Sequence, residues 1–257
     1  MNYLKYEVIN RIAFITLNRP EKRNALSHEL VSELMEAFDA ASIDEAAKIV
    51  VLCAEGEAFC AGADLAYLQK LQSFSYEENV ADSNHLKDLF LKIYTLNKVV
   101  IAQIQGHALA GGCGLAAVCD FSFTVPEAKF GYTEVRIGFI PAIVMVFLLR
   151  RIGEGKSKQL LLSGDLISAE EACNLGLVNY LSTVESLEQD VLDFANKLIR
   201  SNSAQSMAAT KQMVAAVQSM PLTEALNYAS SMNAKARGSE DCQRGIAAFL
   251  NKEKLIW

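Results

Sequence analysis

Two short stretches could do chemistry with their backbones rather than their side chains. FCAGADL (59–65) and LAGGCGL (109–115) each follow an apolar run of strand character, pass through small residues and glycine, and open a helical pattern. Both offer unencumbered backbone N–H groups at a helix N-terminus, where the peptide dipoles favour negative charge. Two such groups aimed at one point would form an oxyanion hole. Each stretch is equally readable as a tight strand-to-helix turn with no chemical duty, and the residues alone leave both readings open. The second stretch also lacks any acidic side chain where proton transfer beside such a hole would want one.

Other chemically capable side chains are scattered. His107 precedes the second glycine stretch and reads as a loop or interface histidine. His28 and His85 fall on helix surfaces. Tyr132 is either a hydrogen-bond donor to substrate or water, or a packed tyrosine. Asp120 opens a strand and is expected to accept backbone hydrogen bonds. Lys252 and Lys254 read as a solvated charge run. No residues have metal-ligand or phosphate-loop spacing, so neither a metal nor a separate cofactor is expected.

The elements that must position these residues follow from periodicity. Tyr6, Val8, Ile12, Phe14 and Thr16 alternate around Asn10–Arg11, which predicts a hairpin. LNRPEKRNALS (17–27) is a polar loop ending on Ser27, a cap for a helix carrying Leu30, Leu34, Phe38 and Ala41 at helical spacing. KIVVLCAEG, VVIAQIQG, DFSFTV and AKFGY read as strands. The segment 67–80, with QKLQSFSYEEN, is polar and poorly periodic, and predicts a mobile flap ahead of a helix at 84–96. Strands alternating with helices indicate an α/β layered fold. Beyond about residue 186 the strand signal ends, and four helical stretches follow at 186–200, 203–217, 222–237 and 239–252. The expected organisation is an α/β core over 1–185 and a helical region over 186–257, joined without a flexible linker.

Composition narrows the partners. The chain has 257 residues and a net charge of −6, which argues against an extended nucleic-acid surface. The longest apolar patch, at 137–149, is too short for a membrane span and contains a proline. Six cysteines lie in apolar contexts without CxxC spacing. Buried free thiols in a reducing cytoplasm are therefore expected.

The two glycine stretches, together with LNRPEKRNALS and FGYTEVRIGFIP (130–141), resemble the crotonase (enoyl-CoA hydratase/isomerase) family over essentially the whole chain. The resemblance implies a ClpP-like spiral of ββα units with a C-terminal helical trimerisation region, assembled as a homo-trimer or hexamer. It implies an acyl thioester of coenzyme A as substrate, the coenzyme being part of the substrate. The positions matching the family's oxyanion donors are the N–H groups of Ala63 and Gly111. Those matching its acyl-CoA contacts are Arg23, Ala25, Leu26, Ala61, Asp64, Leu65, Gly112, Gly114 and Tyr132. Arg23 would meet a CoA phosphate or stay solvated.

Family hydratases usually carry two glutamates. One matches Glu134 here; the other aligns with Gly114, which cannot transfer a proton. Isomerases that shift a double bond with one glutamate resemble this pattern. The run EVRIGFIPAIV (134–144) also resembles a bacterial branch of methylglutaconyl-CoA hydratases with glycine at the same place, which would put the chain in leucine degradation. Three readings follow. One is a hydratase for a short or branched 2-enoyl-CoA with Glu134 as its single acid and base. The others are an isomerase using Glu134 alone and a non-catalytic acyl-CoA-binding relative.

Overall fold

The computed structural model describes residues 1–257. Strands β1 (Leu4–Ile9) and β2 (Ile12–Leu17) form the predicted hairpin, with Leu4 opposite Leu17. Asn10 and Arg11 both have positive φ, at 50° and 68°, the turn geometry that matches strand twist. From β2 the large sheet continues in parallel through β3 (Ile49–Ala54), β5 (Val99–Ile104), β7 (Phe121–Thr124) and β10 (Tyr180–Leu181). Unbroken apolar runs such as IVVL in β3 suit strands covered on both faces.

A smaller sheet takes the next strand of each unit, in the order β4 (Ala58–Cys60), β6 (His107–Leu109), β8 (Lys129–Gly131) and β9 (Ile167–Ser168). The units that start at β3, β5 and β7 each give one strand to the large sheet, one to the small sheet, and then helix, while β9 closes the small sheet antiparallel to β8. Helices α2 (Leu65–Leu71) and α3 (Tyr76–Thr95) follow β4, α4 (Gly111–Val118) follows β6, α5 (Ala142–Ser163) follows β8, and α6 (Ala169–Leu175) follows β9. The arrangement is the ββα spiral, and it brings the starts of α2 and α4 to the same rim of the small sheet. Ser27 caps α1 (His28–Ile43) by accepting the Leu30 N–H at 3.3 Å.

The segment 67–80 departs from expectation, for it is mostly helical. Ser75 accepts the Glu78 N–H at 3.2 Å while the Glu78 carboxylate accepts the Ser75 N–H at 2.7 Å. This capping box starts α3 eight residues before the predicted helix. No α3 residue before Leu89 is buried, so its outer turns leave no apolar period to read.

The helical region has two characters. Helix α7 (Leu187–Ser201) drives Leu187, Val191, Ala195 and Ile199, spaced four apart, into the main core. Helices α8 (Ala204–Val217) and α9 (Leu222–Arg237) bury no residue, and α10 (Glu240–Leu250) buries only Ala248. Polar ties hold this part to the core. Lys48 Nζ donates to the Ile199 and Asn202 carbonyls, and Lys211 Nζ donates to the Lys98 carbonyl and pairs with Asp120 at 2.7 Å. All six cysteines are free, and no helix is long and apolar enough to cross a membrane.

Candidate active site

The first glycine stretch is built as a short parallel pairing with the loop before α1. Ala61 N–H donates to the Arg23 carbonyl, Leu26 N–H to the Gly62 carbonyl, and Asp64 N–H to the Leu26 carbonyl, at 2.7–3.0 Å. Extended backbone alternates the direction of its polar groups. With Gly62 and Asp64 committed to Leu26, the Ala63 N–H points to the opposite side, where it has no acceptor in the protein. Gly62 has φ +92°, and a Cβ there would lie 2.8 Å from Ala110 Cβ. Only glycine supplies both that conformation and so close an approach of the two loops.

The second stretch turns at Ala110, whose φ of 50° and ψ of −121° are strained for a residue with a side chain. The turn is held from both sides: Ala110 N–H donates to the Gly131 carbonyl at 2.8 Å, and its own carbonyl accepts the Gly114 N–H at 3.0 Å. The first N–H groups of α4 have no intrahelical partner, and that of Gly111 has no other acceptor. The Gly111 nitrogen lies 3.6 Å from the position a Gly62 Cβ would occupy. The unpaired donors of Ala63 and Gly111 therefore belong to touching loops. Gly112 packs inward instead, where a Cβ would fall 2.1 Å from the Cys60 carbonyl oxygen.

The carboxylate arrives through β8. After Gly131, Tyr132 is wholly buried, and Glu134 opens a 3₁₀ turn over Glu134–Ile137 that ends at Gly138. The Glu134 carbonyl accepts the Phe139 N–H at 3.0 Å, which fixes the turn. Its Oε2 is buried with no hydrogen-bond partner. Burial raises the Glu134 carboxyl above the ordinary carboxylate range, opposed only by its own backbone N–H. The Tyr132 hydroxyl is likewise buried without a partner, and burial pushes it well above its usual value, with Cys113 and Glu134 adding to the shift. A carboxylate with a spare oxygen and a raised pKa is suited to give and take one proton.

The remaining predicted contacts separate into two groups. Ala25 and Leu26 are buried beside Ala63, and Leu26 Cδ1 lies 3.0 Å from where a Gly111 Cβ would sit. Arg23 is exposed on a left-handed backbone of φ 50°, and Leu65 is exposed at the start of α2. Asp64 is otherwise engaged: its Oδ1 accepts the Ala66 and Tyr67 N–H groups, capping α2, and its Oδ2 pairs with Arg19 at 2.8 Å. Burial alone would raise the Asp64 carboxyl, but these N–H groups and the Arg19 guanidinium outweigh it and hold the carboxyl low.

Sequence reasoning passed over three contributors. Arg19 joins the two loops through Asp64 and also reaches the Ala25 carbonyl. Asn24, wholly buried at φ 53°, accepts the Arg19 N–H and donates to the Glu55 and Ala58 carbonyls. Both lie in LNRPEKRNALS, where their polarity disguised them as loop residues. The third, Val144, faces Gly114 from α5. A cavity of about 400 Å³ lined by Phe123, Tyr180 and Phe194 shares no residue with this site.

Comparison with known proteins identifies relatives along the whole chain. The family model described as enoyl-CoA hydratase/isomerase matches residues 7–257. A Thermus thermophilus relative, named provisionally as an enoyl-CoA hydratase, is 40% identical over 94% of this chain and 95% of its own. The crotonyl-CoA hydratase of Syntrophomonas wolfei is 34% identical, covering 95% and 93%. The crystal structure of an enoyl-CoA hydratase from Mycobacterium smegmatis superposes with a TM-score of 0.92 at 30% identity, covering 99% and 98%.

Proposed function

This chain belongs to the enoyl-CoA hydratase/isomerase family of enzymes, and we propose that it hydrates a short or branched 2-enoyl-CoA with Glu134 as its only proton-transfer group. The observation that carries this reading is the Glu134 carboxylate, whose Oε2 is buried and unpartnered, on the loop that the Gly131–Ala110 hydrogen bond ties to the unpaired N–H of Gly111. The thioester oxygen would accept from Ala63 and Gly111, each donor contributing about 3 kcal/mol as enolate charge develops. The Glu134 carboxylate takes a proton from water as the hydroxyl adds to the β-carbon, then returns that proton to the α-carbon. One hydrogen and one hydroxyl are added, and the carboxylate is restored. Members of the methylglutaconyl-CoA branch have the same glycine as Gly114, which makes 3-methylglutaconyl-CoA a substrate to include among the branched candidates.

A second reading rests on a specific feature. Hydrocarbon rather than a carboxylate faces position 114. This favours double-bond migration, in which Glu134 takes a proton from one carbon of a 3-enoyl-CoA and delivers it to another. Purified protein offered a panel of 2-enoyl- and 3-enoyl-CoA esters separates the two. Loss of enoyl absorbance without isomer formation supports hydration, and 2-enoyl product from 3-enoyl substrate supports migration. Turnover of neither would leave acyl-CoA binding as the function.

Assembly as a homo-trimer or hexamer is part of the proposal. Leu222, Leu226, Phe249 and Leu250 are each more than 60% exposed on the poorly buried helices α9 and α10, and this apolar surface would be covered by neighbouring copies.

A further inference from the structure

Position 114 is closed by its neighbours rather than by its backbone. Gly111 and Gly114 are three apart on α4 and share one face, so a side chain at 114 would emerge one turn below the unpaired Gly111 N–H. The backbone there is not in the left-handed region, and any residue could adopt it. Space is what forbids a side chain: a Cβ would meet Val144 Cγ1 at 2.3 Å, Val144 Cβ at 3.0 Å and Phe90 Cε1 at 2.9 Å. Val144 and Phe90 are both buried. Phe90 leans on Phe147, which in turn packs edge-on to Tyr94, with ring centres 5.8 and 5.3 Å apart. Val144 is β-branched and sits in the first turn of α5, where its χ1 has little freedom.

From this geometry we infer that Val144, backed by Phe90, is the specificity-determining residue that restricts the site to one carboxylate. Its methyl group fills the volume through which a second acid at 114 would reach the thioester. The inference rests on the proposed hydratase reading and extends it. Gly114 and Val144 form a matched pair, so restoring an acid at 114 needs a smaller residue at 144. Val144→Ala removes the 2.3 Å obstruction and leaves contacts of 2.9 Å to Phe90 Cε1 and 3.0 Å to the Cβ at 144, which reach ordinary contact once the ring and α5 each give by about half an ångström.

A double-variant cycle tests the pair: Gly114→Ala, Gly114→Glu and Val144→Ala, alone and combined, read by Tm and by rates of hydration and double-bond migration. An overpacking cost of about 2 kcal/mol lowers Tm by roughly 4–8 °C in a chain of this size, and Gly114→Ala alone is expected to do so. Combined with Val144→Ala, it should cost no more than about 2 °C beyond Val144→Ala itself. Gly114→Glu with Val144→Ala should raise the hydration-to-migration ratio about tenfold or more over Val144→Ala. Additive Tm losses, or single variants at 114 that melt like the parent, would overturn the pairing. So would a folded Gly114→Glu/Val144→Ala protein whose ratio stays within twofold of Val144→Ala. Should that protein not fold, the alanine cycle still decides. Should the parent turn over neither substrate, the hydratase reading fails, while coupled or additive Tm losses continue to report on the pair.

Discussion

The Ala110 N–H donates to the Gly131 carbonyl at 2.8 Å, and this bond ties the turn that frees the Gly111 N–H to the loop that carries Glu134. Ala110 is the strained residue of its turn, and Gly131 stands three positions before the carboxylate. Donors and acid therefore keep their relation through the small sheet, in which β6 and β8 are neighbours. Strain of about 1–3 kcal/mol at such a turn persists only where the surroundings over-determine it.

The Arg19–Asp64 pair is expected to be a structural clamp. Asp64→Ala would remove the α2 cap and leave the largely buried Arg19 guanidinium with only the exposed Glu21 carboxylate, 3.9 Å away, as counter-charge, a loss of about 3 kcal/mol. The Asp64 carboxyl is held below its unfolded value. Its stabilising contribution is therefore complete above the unfolded pKa of about 3.9 and is lost as pH falls through the lower folded value. Urea titrations of parent and variant at pH 7 and pH 3 should show a gap that narrows on acidification; a constant gap would remove the ionic part of this account.

Lys211 anchors the outer helices. Its ammonium is nearly buried against Asp120, which also accepts the Val100 N–H at 2.7 Å. Burial keeps the Asp120 carboxyl raised even with Lys211 beside it. Lys211→Met strands that carboxylate between α8 and the sheet and should cost about 3–5 kcal/mol in chemical denaturation. A cost below 1 kcal/mol would mean that α8 is held by other contacts.

Much of this fold was legible because its elements repeat familiar local signals. The hairpin was marked by alternation about Asn10–Arg11, α1 by the Ser27 cap, and the last four helices by periodicity, to within about two residues at most ends. The two glycine stretches marked where loops touch, as Gly62 does Ala110, but left their duty open, and only the family resemblance singled out the Ala63 and Gly111 N–H groups as candidate donors. What escaped was non-local. Val144 faces Gly114 across thirty residues, and Arg19 reaches Asp64 across forty-five. Neither pairing leaves a period or a spacing in the sequence. The start of α3 is the exception, for its capping box was present as Ser75–Glu78 and was masked by an exposed, aperiodic first half.

Sedimentation velocity at micromolar concentration should find a trimer or hexamer. Phe249, 83% exposed on α10, is the side chain whose replacement by Glu should most disturb it, shifting the distribution toward monomer while the α/β core stays folded. A parent protein that sediments only as monomer would mean that the apolar face of α9 and α10 is covered in some other way.

The most direct test is Glu134→Gln, assayed for both turnover and acyl-CoA binding. The substitution keeps the shape of the buried side chain and leaves the Ala63 and Gly111 donors untouched. It should lower kcat by about 10²–10⁴-fold and change thioester affinity little. The parent's rate should fall on acidification with a midpoint above the ordinary glutamate value of about 4.3, because burial raises this carboxyl and the base must be ionised. The raised folded-state pKa also means that Glu134 costs stability once ionised, so the Gln variant should melt above the parent at pH 7 and lose that advantage as pH falls toward 4. Folded Glu134→Gln protein that turns over enoyl-CoA at the parent's rate would contradict the account at its centre.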